Sequence, residues 1–233
     1  MQMEGNYKMR EGKYTALIAV RAGSTRVSKK NIRNFGGTSL LQIKIAQALE
    51  VDTIDEVVVS SDSEEMLDKA VSMGAKALKR PSKFCSDTIP MKEVYKFLAE
   101  SVESDHIVYL HVTSPLLETN TLRKSLEIYK NLDEEYSSLA SVEHIMKYLW
   151  FNEKPINYDP RNHPRSQDLD KYYCLNFAIN ILPRFTMINT KSILGDRFYP
   201  FFISEIESID VDTELEFEVA EYIYKKRLSA SKF

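Results

Sequence analysis

Between residues 14 and 130 the chain alternates short, largely apolar runs with longer segments whose apolar residues return every three or four positions. A short apolar run bounded by polar residues reads as a strand buried on both faces, and the three-to-four spacing reads as one face of a helix. Tyr14–Val20 is the first such strand. Ser39–Glu50 follows as a helix with Leu41, Ile45, Ala48 and Leu49 on one face. Glu56–Ser60 is the next strand, and Asp62-Ser-Glu-Glu65 has the spacing of a capping box opening a helix that runs to Met73 and stops at Gly74. Ala75–Lys79 and His106–Val112 continue the strands. Between them Asp87 caps a helix carrying Met91, Val94, Tyr95, Leu98 and Val102, and Leu122, Leu126 and Tyr129 mark the helix that follows. This order predicts an α/β fold with a doubly wound, mostly parallel sheet. In such sheets ligands bind at the carboxyl ends of the strands, here near residues 21–31, 60–62 and 111–115.

The rhythm breaks after residue 137. Ser137–Val142 and Tyr172–Leu182 are strand-like, but the stretch between them holds Pro155, Pro160, Pro164 and the single tryptophan, Trp150, with Tyr148, Phe151 and Tyr158. An insertion at about 140–170 fits a β-hairpin lobe that meets a second copy of the chain; a lid and a plain long connection fit the same pattern. The chain closes with Ser208–Asp212 as a strand end, and Thr213-Glu-Leu-Glu216 as a second capping box before a helix with Leu215, Val219, Tyr222 and Ile223 on one face. Residues 13–228 are read as a single domain and residues 1–12 as a loose polar leader.

Composition narrows the function. With 233 residues and 43% apolar content, a core forms without disulfides or a structural metal. Cys85 and Cys174 have no zinc-like spacing and fit a reduced cytoplasm. The first apolar run is too short for a membrane span and lacks a signal-peptide cleavage site. A net charge of −3 argues against general binding to nucleic acid or an anionic membrane.

That near-neutral total hides two opposed clusters. Residues 1–33 carry eight Lys and Arg against Glu4 and Glu11, and five of the eight lie in the loop from Arg21 to Arg33 directly after the first strand. Small residues and backbone N–H groups in that position wrap an anion such as a triphosphate, although a solvated basic loop has the same composition. The spacing is neither that of a P-loop nor that of a dinucleotide fingerprint. Ser204–Tyr224 holds eight acids and no base, with Asp210 and Asp212 two residues apart. On extended backbone both carboxylates point to one side, which suits Mg²⁺ shared with substrate phosphates; Asp212 also suits the positive end of the helix it precedes.

Five motifs stand out: Val20-Arg21-Ala-Gly-Ser24-Thr-Arg26-Val-Ser-Lys-Lys30-Asn31-Ile32-Arg33, Val59-Ser-Ser-Asp62, Arg80-Pro-Ser-Lys-Phe-Cys-Ser86-Asp87-Thr88, Leu110-His-Val-Thr-Ser114-Pro-Leu116 and Ser208-Ile-Asp210-Val-Asp212-Thr213. Taken together, they resemble the acylneuraminate cytidylyltransferases (CMP-sialic acid synthetases) and relatives that activate other 3-deoxy-2-keto acid sugars. The resemblance implies a Rossmann-like nucleotidyltransferase whose inserted lobe mediates dimerisation. It implies that Arg21, Ser24, Lys30 and Asn31 hold the phosphates and ribose of CTP, that Arg80 and Ser86 read the cytosine edge, and that Asp210 and Asp212 bind Mg²⁺ or Mn²⁺. His111, Ser114, Arg165, Gln167 and Asn176 fall on the acidic-sugar side. Arg21, Lys30, Asp210 and Asp212 are the implied catalytic set. Family members acting on N-acetylneuraminate usually carry glutamine at His111 and glycine at Phe177, so the acceptor side departs from that pattern. His111 is read either as a sugar contact or as a packed histidine at a strand end. The implied reaction transfers CMP from CTP to the anomeric hydroxyl and releases pyrophosphate. A nucleotide-sugar-dependent glycosyltransferase, another sugar nucleotidyltransferase and an inactive CTP-binding regulatory domain are the rival readings.

Overall fold

The computed structural model describes residues 10–23, 26–86 and 88–230. In chain order the elements are β1 (Tyr14–Ala19), α1 (Leu40–Leu49), β2 (Glu56–Ser61), α2 (Glu64–Ser72), β3 (Lys76–Lys79), α3 (Met91–Glu100), β4 (His106–Leu110), α4 (Thr119–Lys130), β5 (Ser138–Ile145), β6 (Trp150–Phe151), β7 (Lys154–Pro155), β8 (Tyr172–Pro183), α5 (Arg184–Thr190), β9 (Phe198–Phe202) and α6 (Glu214–Ala230). Seven strands form one sheet in the order β3-β2-β1-β4-β8-β5-β9, and β6 pairs with β7. Only β8 runs against its neighbours, pairing antiparallel with β4 and β5, while the other pairings in that sheet are parallel. The expected doubly wound, mostly parallel sheet is therefore present. Its strands bury both faces. Ala16, Ile18, Val57, Val59, Val108 and Leu110 pack with helices α1, α4 and α6, and Leu17, Val58, Ile107 and Tyr109 pack with α3 and α5. No helix among the described residues is long and apolar enough to cross a membrane.

Connections from β1 run through β2 to β3 on one side, and the next strand, β4, lies on the other side of β1. A crevice opens at such a reversal, outside the carboxyl ends of the two strands. Residues 20–22 and 111–113 are placed there by topology.

Several local readings are corrected. Ser63, not Asp62, caps α2, its hydroxyl accepting from Met66 N at 3.4 Å. Asp62 instead accepts from Ala22 N at 2.9 Å and so steadies the loop after β1. Residues 208–212 form no strand; Val211 N makes a single 2.7 Å bond to Thr113 O. On α6, Leu215, Val219 and Tyr222 face solvent, and Phe217 and Ala220 are buried. Residues 10–12, read as part of a loose leader, are tied down: Arg10 N donates to Lys130 O at 3.0 Å and Tyr14 OH to Arg10 O at 2.6 Å. The first nine residues, Ser24 and Asp87 lie outside the described residues; α3 starts at Met91 with Pro90 in the N-cap position and no side-chain cap, so the expected cap at residue 87 is corrected. Neither α5 nor β9 is marked by the sequence pattern.

The Thr213–Glu216 box does form, with Thr213 N donating to Glu216 Oε2 at 2.8 Å and Glu216 N to Thr213 Oγ1 at 3.3 Å. It starts α6 immediately after the two aspartates. The helix then docks on the tight turn that follows the basic loop. There the Phe35 ring meets Phe217 and Tyr224 at 5.2 and 5.4 Å, and Gly36 N donates to Glu221 Oε1 at 2.8 Å. Gly36 has φ +60°, and a Cβ there would lie 2.8 Å from the Tyr224 ring. We expect Gly36→Ala to cost roughly 1–3 kcal/mol through left-handed strain and overpacking. That lowers the thermal midpoint by about 3–10 °C in a chain of this size. A midpoint equal to the parent's would contradict this account of how α6 is seated.

Candidate active site

Two adjoining recesses open at the switch point and share Ala19, Val20, Arg21 and His111. Their volumes are about 190 and 320 Å³, the second at the lower end of the range of small-molecule sites and the first below it. The first is cationic. It is lined by Arg21, Gly23, Arg26, Lys30 and Asn31 from the loop after β1, and by His111–Thr113 from the end of β4. The second has apolar walls from Phe84, Ile89, Met91, Val94 and Tyr109, with Arg80, Cys85 and Ser86 supplying polar edges. A flat aromatic base suits the second recess and a polyphosphate suits the first.

The loop is built to hold its shape. Val27 is buried and fastens it to the core, and Asn31 Nδ2 donates to Arg21 O at 3.1 Å across its base. Arg21 Nη1 donates to Cys85 O at 3.0 Å, linking the two recesses. Arg80 is buried, hydrogen-bonded to Val20 O, and its Nε has no partner among the described residues. A buried guanidinium N–H left without an acceptor costs free energy, and here it belongs to a residue lining the base-sized recess. Ser86 is exposed at the rim, its hydroxyl 2.7 Å from that of Thr88.

Beside the cationic recess, joined to it through Lys30 but not among the residues that line it, stand the two aspartates. Val211 is fully buried, which turns Asp210 and Asp212 to the outer side together. Lys30 Nζ donates to Val211 O at 2.8 Å and to Asp212 Oδ1 at 3.0 Å, and Arg26 Nη1 lies 3.0 Å from Asp212 Oδ2. Partial burial opposes ionisation of Asp212, but Lys30 and Arg26 outweigh it and hold the carboxyl below its ordinary range. Asp210 goes the other way, raised by withdrawal from water and by the Asp212 charge, against a hydrogen bond from Thr113. Two carboxylates at one site, one kept ionised by cations and one disfavoured by its neighbour, form a donor set that gains from a divalent cation. No group of three or more His, Cys, Asp or Glu able to hold a metal occurs among the described residues. The remaining ligands of a cation here would come from phosphate and water, the usual situation for Mg²⁺.

Not every expected residue reaches the cleft. Ser114 is buried and its carbonyl is taken by Lys44. Asn176 is buried in a polar network, accepting from Ser141 Oγ at 2.6 Å and donating to Ser208 Oγ at 2.9 Å. Arg165 and Gln167 sit at an exposed turn of the insert, where Arg165 pairs with Asp168 at 3.0 Å. None of these four lines either recess. Conversely, Arg26, Phe84 and Tyr109 line the recesses without having been singled out for the site. Arg26 carried a signal, being one of the five bases of the loop.

Residues 15–173 match the family model described as cytidylyltransferase, and the chain belongs to that family. It is similar to the CMP-N,N'-diacetyllegionaminic acid synthase of Legionella pneumophila, with 30% identity over 219 residues covering 88% of this chain and 94% of that protein. It is also similar to a pseudaminic acid cytidylyltransferase of Campylobacter jejuni, with 30% identity over 224 residues covering 91% and 97%. In fold it resembles a CMP:2-keto-3-deoxy-manno-octonic acid synthetase solved in complex with CTP, with a TM-score of 0.70 at 18% identity over 92% of this chain and 99% of that one.

His111 joins the two recesses. Its ring lies 5.1 Å from Tyr109 and 6.1 Å from Phe177, and its Nε2 is buried without a partner among the described residues. Burial first, and then the Lys44 charge, lower its pKa to about 4. It is therefore neutral at pH 7. Because the folded value lies below the unfolded one, this histidine's contribution to stability is complete above about pH 6.5 and is lost as pH falls toward 4. The stability difference between His111→Gln and the parent should shift in the variant's favour across that window, by up to about 3 kcal/mol. Parallel stability curves from pH 7 to 4 would remove this assignment.

Proposed function

We propose that the chain transfers CMP from CTP to the anomeric hydroxyl of a 3-deoxy-2-keto acid sugar of the nonulosonate type, with Mg²⁺, in the cytoplasm and as a homodimer. The observation that carries this reading is the pairing of a cationic recess with an apolar, base-sized one at the switch point, with Asp210 and Asp212 facing Lys30. Family membership and the sugar acids in the relatives' names support the donor and the acceptor class.

In this reading the anomeric hydroxyl oxygen forms a bond to the α-phosphorus and gives up its proton to water, the bond from that phosphorus to the bridging oxygen breaks, and pyrophosphate leaves with the electron pair. No covalent bond to the protein is required, so positioning and charge neutralisation carry the rate. Arg21, Arg26 and Lys30 gather and neutralise the triphosphate; Ser24 and Asn31 belong to the same loop. Arg80 and Ser86 meet the polar edge of the base between Phe84, Ile89 and Met91. Asp210 and Asp212 would hold the cation, which offsets negative charge on the phosphates. Neutral His111 offers a hydrogen bond to the acceptor, and Phe177 bounds the space beside it.

The dimer reading rests on exposed apolar surface. The β5–β8 arm extends past the sheet and carries the β6–β7 hairpin. Trp150 and Phe151 on the hairpin are 54% and 68% exposed, and Tyr172, Tyr173 and Phe202 are also exposed nearby in sequence or by pairing. A second copy covering this arm would bring Arg165 and Gln167 toward the partner's acceptor site, while Ser114 and Asn176 act as framework.

Thermal unfolding with CTP, UTP, ATP and GTP, each with and without Mg²⁺, tests the donor. Binding at 100 times the dissociation constant adds about 2.7 kcal/mol to the folded state. A CTP-selective shift is expected, followed by pyrophosphate release with a panel of acidic sugars. A CTP-selective shift without product from any acceptor would favour a regulatory role, and product from a nucleotide-sugar would favour a glycosyltransferase. Within the proposed reaction, Lys30→Ala should lower kcat at least 100-fold, the scale of losing a transition-state charge contact. Turnover within a few-fold of the parent would remove Lys30 from the catalytic set.

A further inference from the structure

The turn that ends β4 is held by a charged side chain with no role so far. Lys44, in the middle of α1, is fully buried, and its Nζ donates to Ser114 O at 2.9 Å. Burial lowers its pKa from 10.5 to about 7. A lysine placed in a core stripe beside Leu40, Leu41 and Ile45 weakens folding relative to an apolar residue of similar volume. The turn does not need it for closure, because Leu117 N already reaches Ser114 O at 3.4 Å.

What the turn supports is the acidic side of the cleft. Thr113 O accepts from Val211 N at 2.7 Å, and the Thr113 side chain acts on Asp210, opposing the rise of its pKa. Val211 O in turn accepts from Lys30. The same helix also grips the phosphate loop, since Leu41 N donates to Asn31 O at 3.0 Å. One rigid helix thus touches both walls of the cleft, the phosphate loop through Leu41 and the β4 turn through Lys44.

We propose that Lys44 is a positioning residue that sets the Thr113–Ser114 turn, and through it the height of the Asp210–Asp212 segment against the phosphate loop. The kinetic arm rests on the function proposed above; the geometric arm does not. A residue kept for this purpose gives a signature opposite to that of an ordinary core residue: removing it leaves stability intact or improved while loosening the acidic segment.

The test uses the full chain and Lys44→Met. Hydrogen exchange of the ligand-free protein should show the Val211 amide exchanging at least tenfold faster, with β1 unchanged and a thermal midpoint equal to or above the parent's. In turnover, kcat should fall at least tenfold with KM for CTP within threefold. Thr113→Val should give a similar loss, and the double variant little more than either, because the two lie on one path. Unchanged Val211 exchange overturns the proposal. So does a variant that fails to fold or loses protection throughout the sheet, which would make Lys44 ordinary support. A parent that releases no pyrophosphate with any acceptor defeats the proposed function, and the exchange measurement still decides the role of Lys44.

Discussion

Lys30 holds together parts of the chain more than 180 residues apart in sequence, reaching Val211 O and Asp212 at once. The first basic loop and the last acidic segment would each repel themselves in isolation, and the fold sets them face to face. Arg26–Asp212 and Arg33–Glu214 add to the contact at 3.0 and 2.6 Å, but both pairs are substantially exposed. Exposed pairs contribute about 0–1 kcal/mol each. Burial of a phenylalanine such as Phe217 contributes about 1.5–3 kcal/mol. Packing of α6 on Phe35 therefore holds the closure, and the ion pairs set which carboxylate faces which cation.

This division explains what the sequence disclosed. The strands β1 to β4 are buried on both faces, so hydrophobic burial alone writes them as apolar runs, and the switch point follows from their order. The basic loop and the aspartate pair are legible because charge clustered by sequence is charge clustered in space when it sits on one loop. The seating of α6 was misread in part: Ile223 does pack against the core, but Leu215, Val219 and Tyr222 have helical spacing as good as that of Phe217, Ala220 and Tyr224 and face solvent. Periodicity finds a stripe; only the position of Phe35 decides which stripe is covered. The same limit applied at α2, where Asp62 and Ser63 both suit a cap and the demand of Ala22 N for an acceptor drew Asp62 away.

The region around Phe177 was least legible for a different reason. Strand β8 pairs antiparallel on both sides, and its register against β5 shifts between Ala140 and Val142. Within the excess stretch Phe177 adopts φ +57°, a conformation costly for a residue with a Cβ. Bulges of this kind redirect side chains beside functional sites, and here the aromatic ring comes within 6.1 Å of His111. Nothing in a run of alternating residues announces where a strand will gain an unpaired segment. The neighbouring Asn176 therefore belongs to a buried network with Ser141 and Ser208, although its position in the motif reads as a sugar contact.

Buried polar atoms without partners complete the argument about where free energy is held in reserve. Arg80 Nε, His111 Nε2 and Ser114 Oγ are three of those found among the described residues, and all three belong to residues of, or directly behind, the two recesses. Each such group costs about 1–3 kcal/mol when left unpaired, and lowering the Lys44 pKa to about 7 is a further cost of the same kind. A core selected for stability alone would fill these positions with apolar side chains. Arg80 and His111 line the recesses, so a bound base or sugar could satisfy their groups, whereas Lys44 and Ser114 line neither recess and meet at the turn behind them. The strain is thus divided between residues that a ligand can relieve and residues that fix the wall against which the ligand is held.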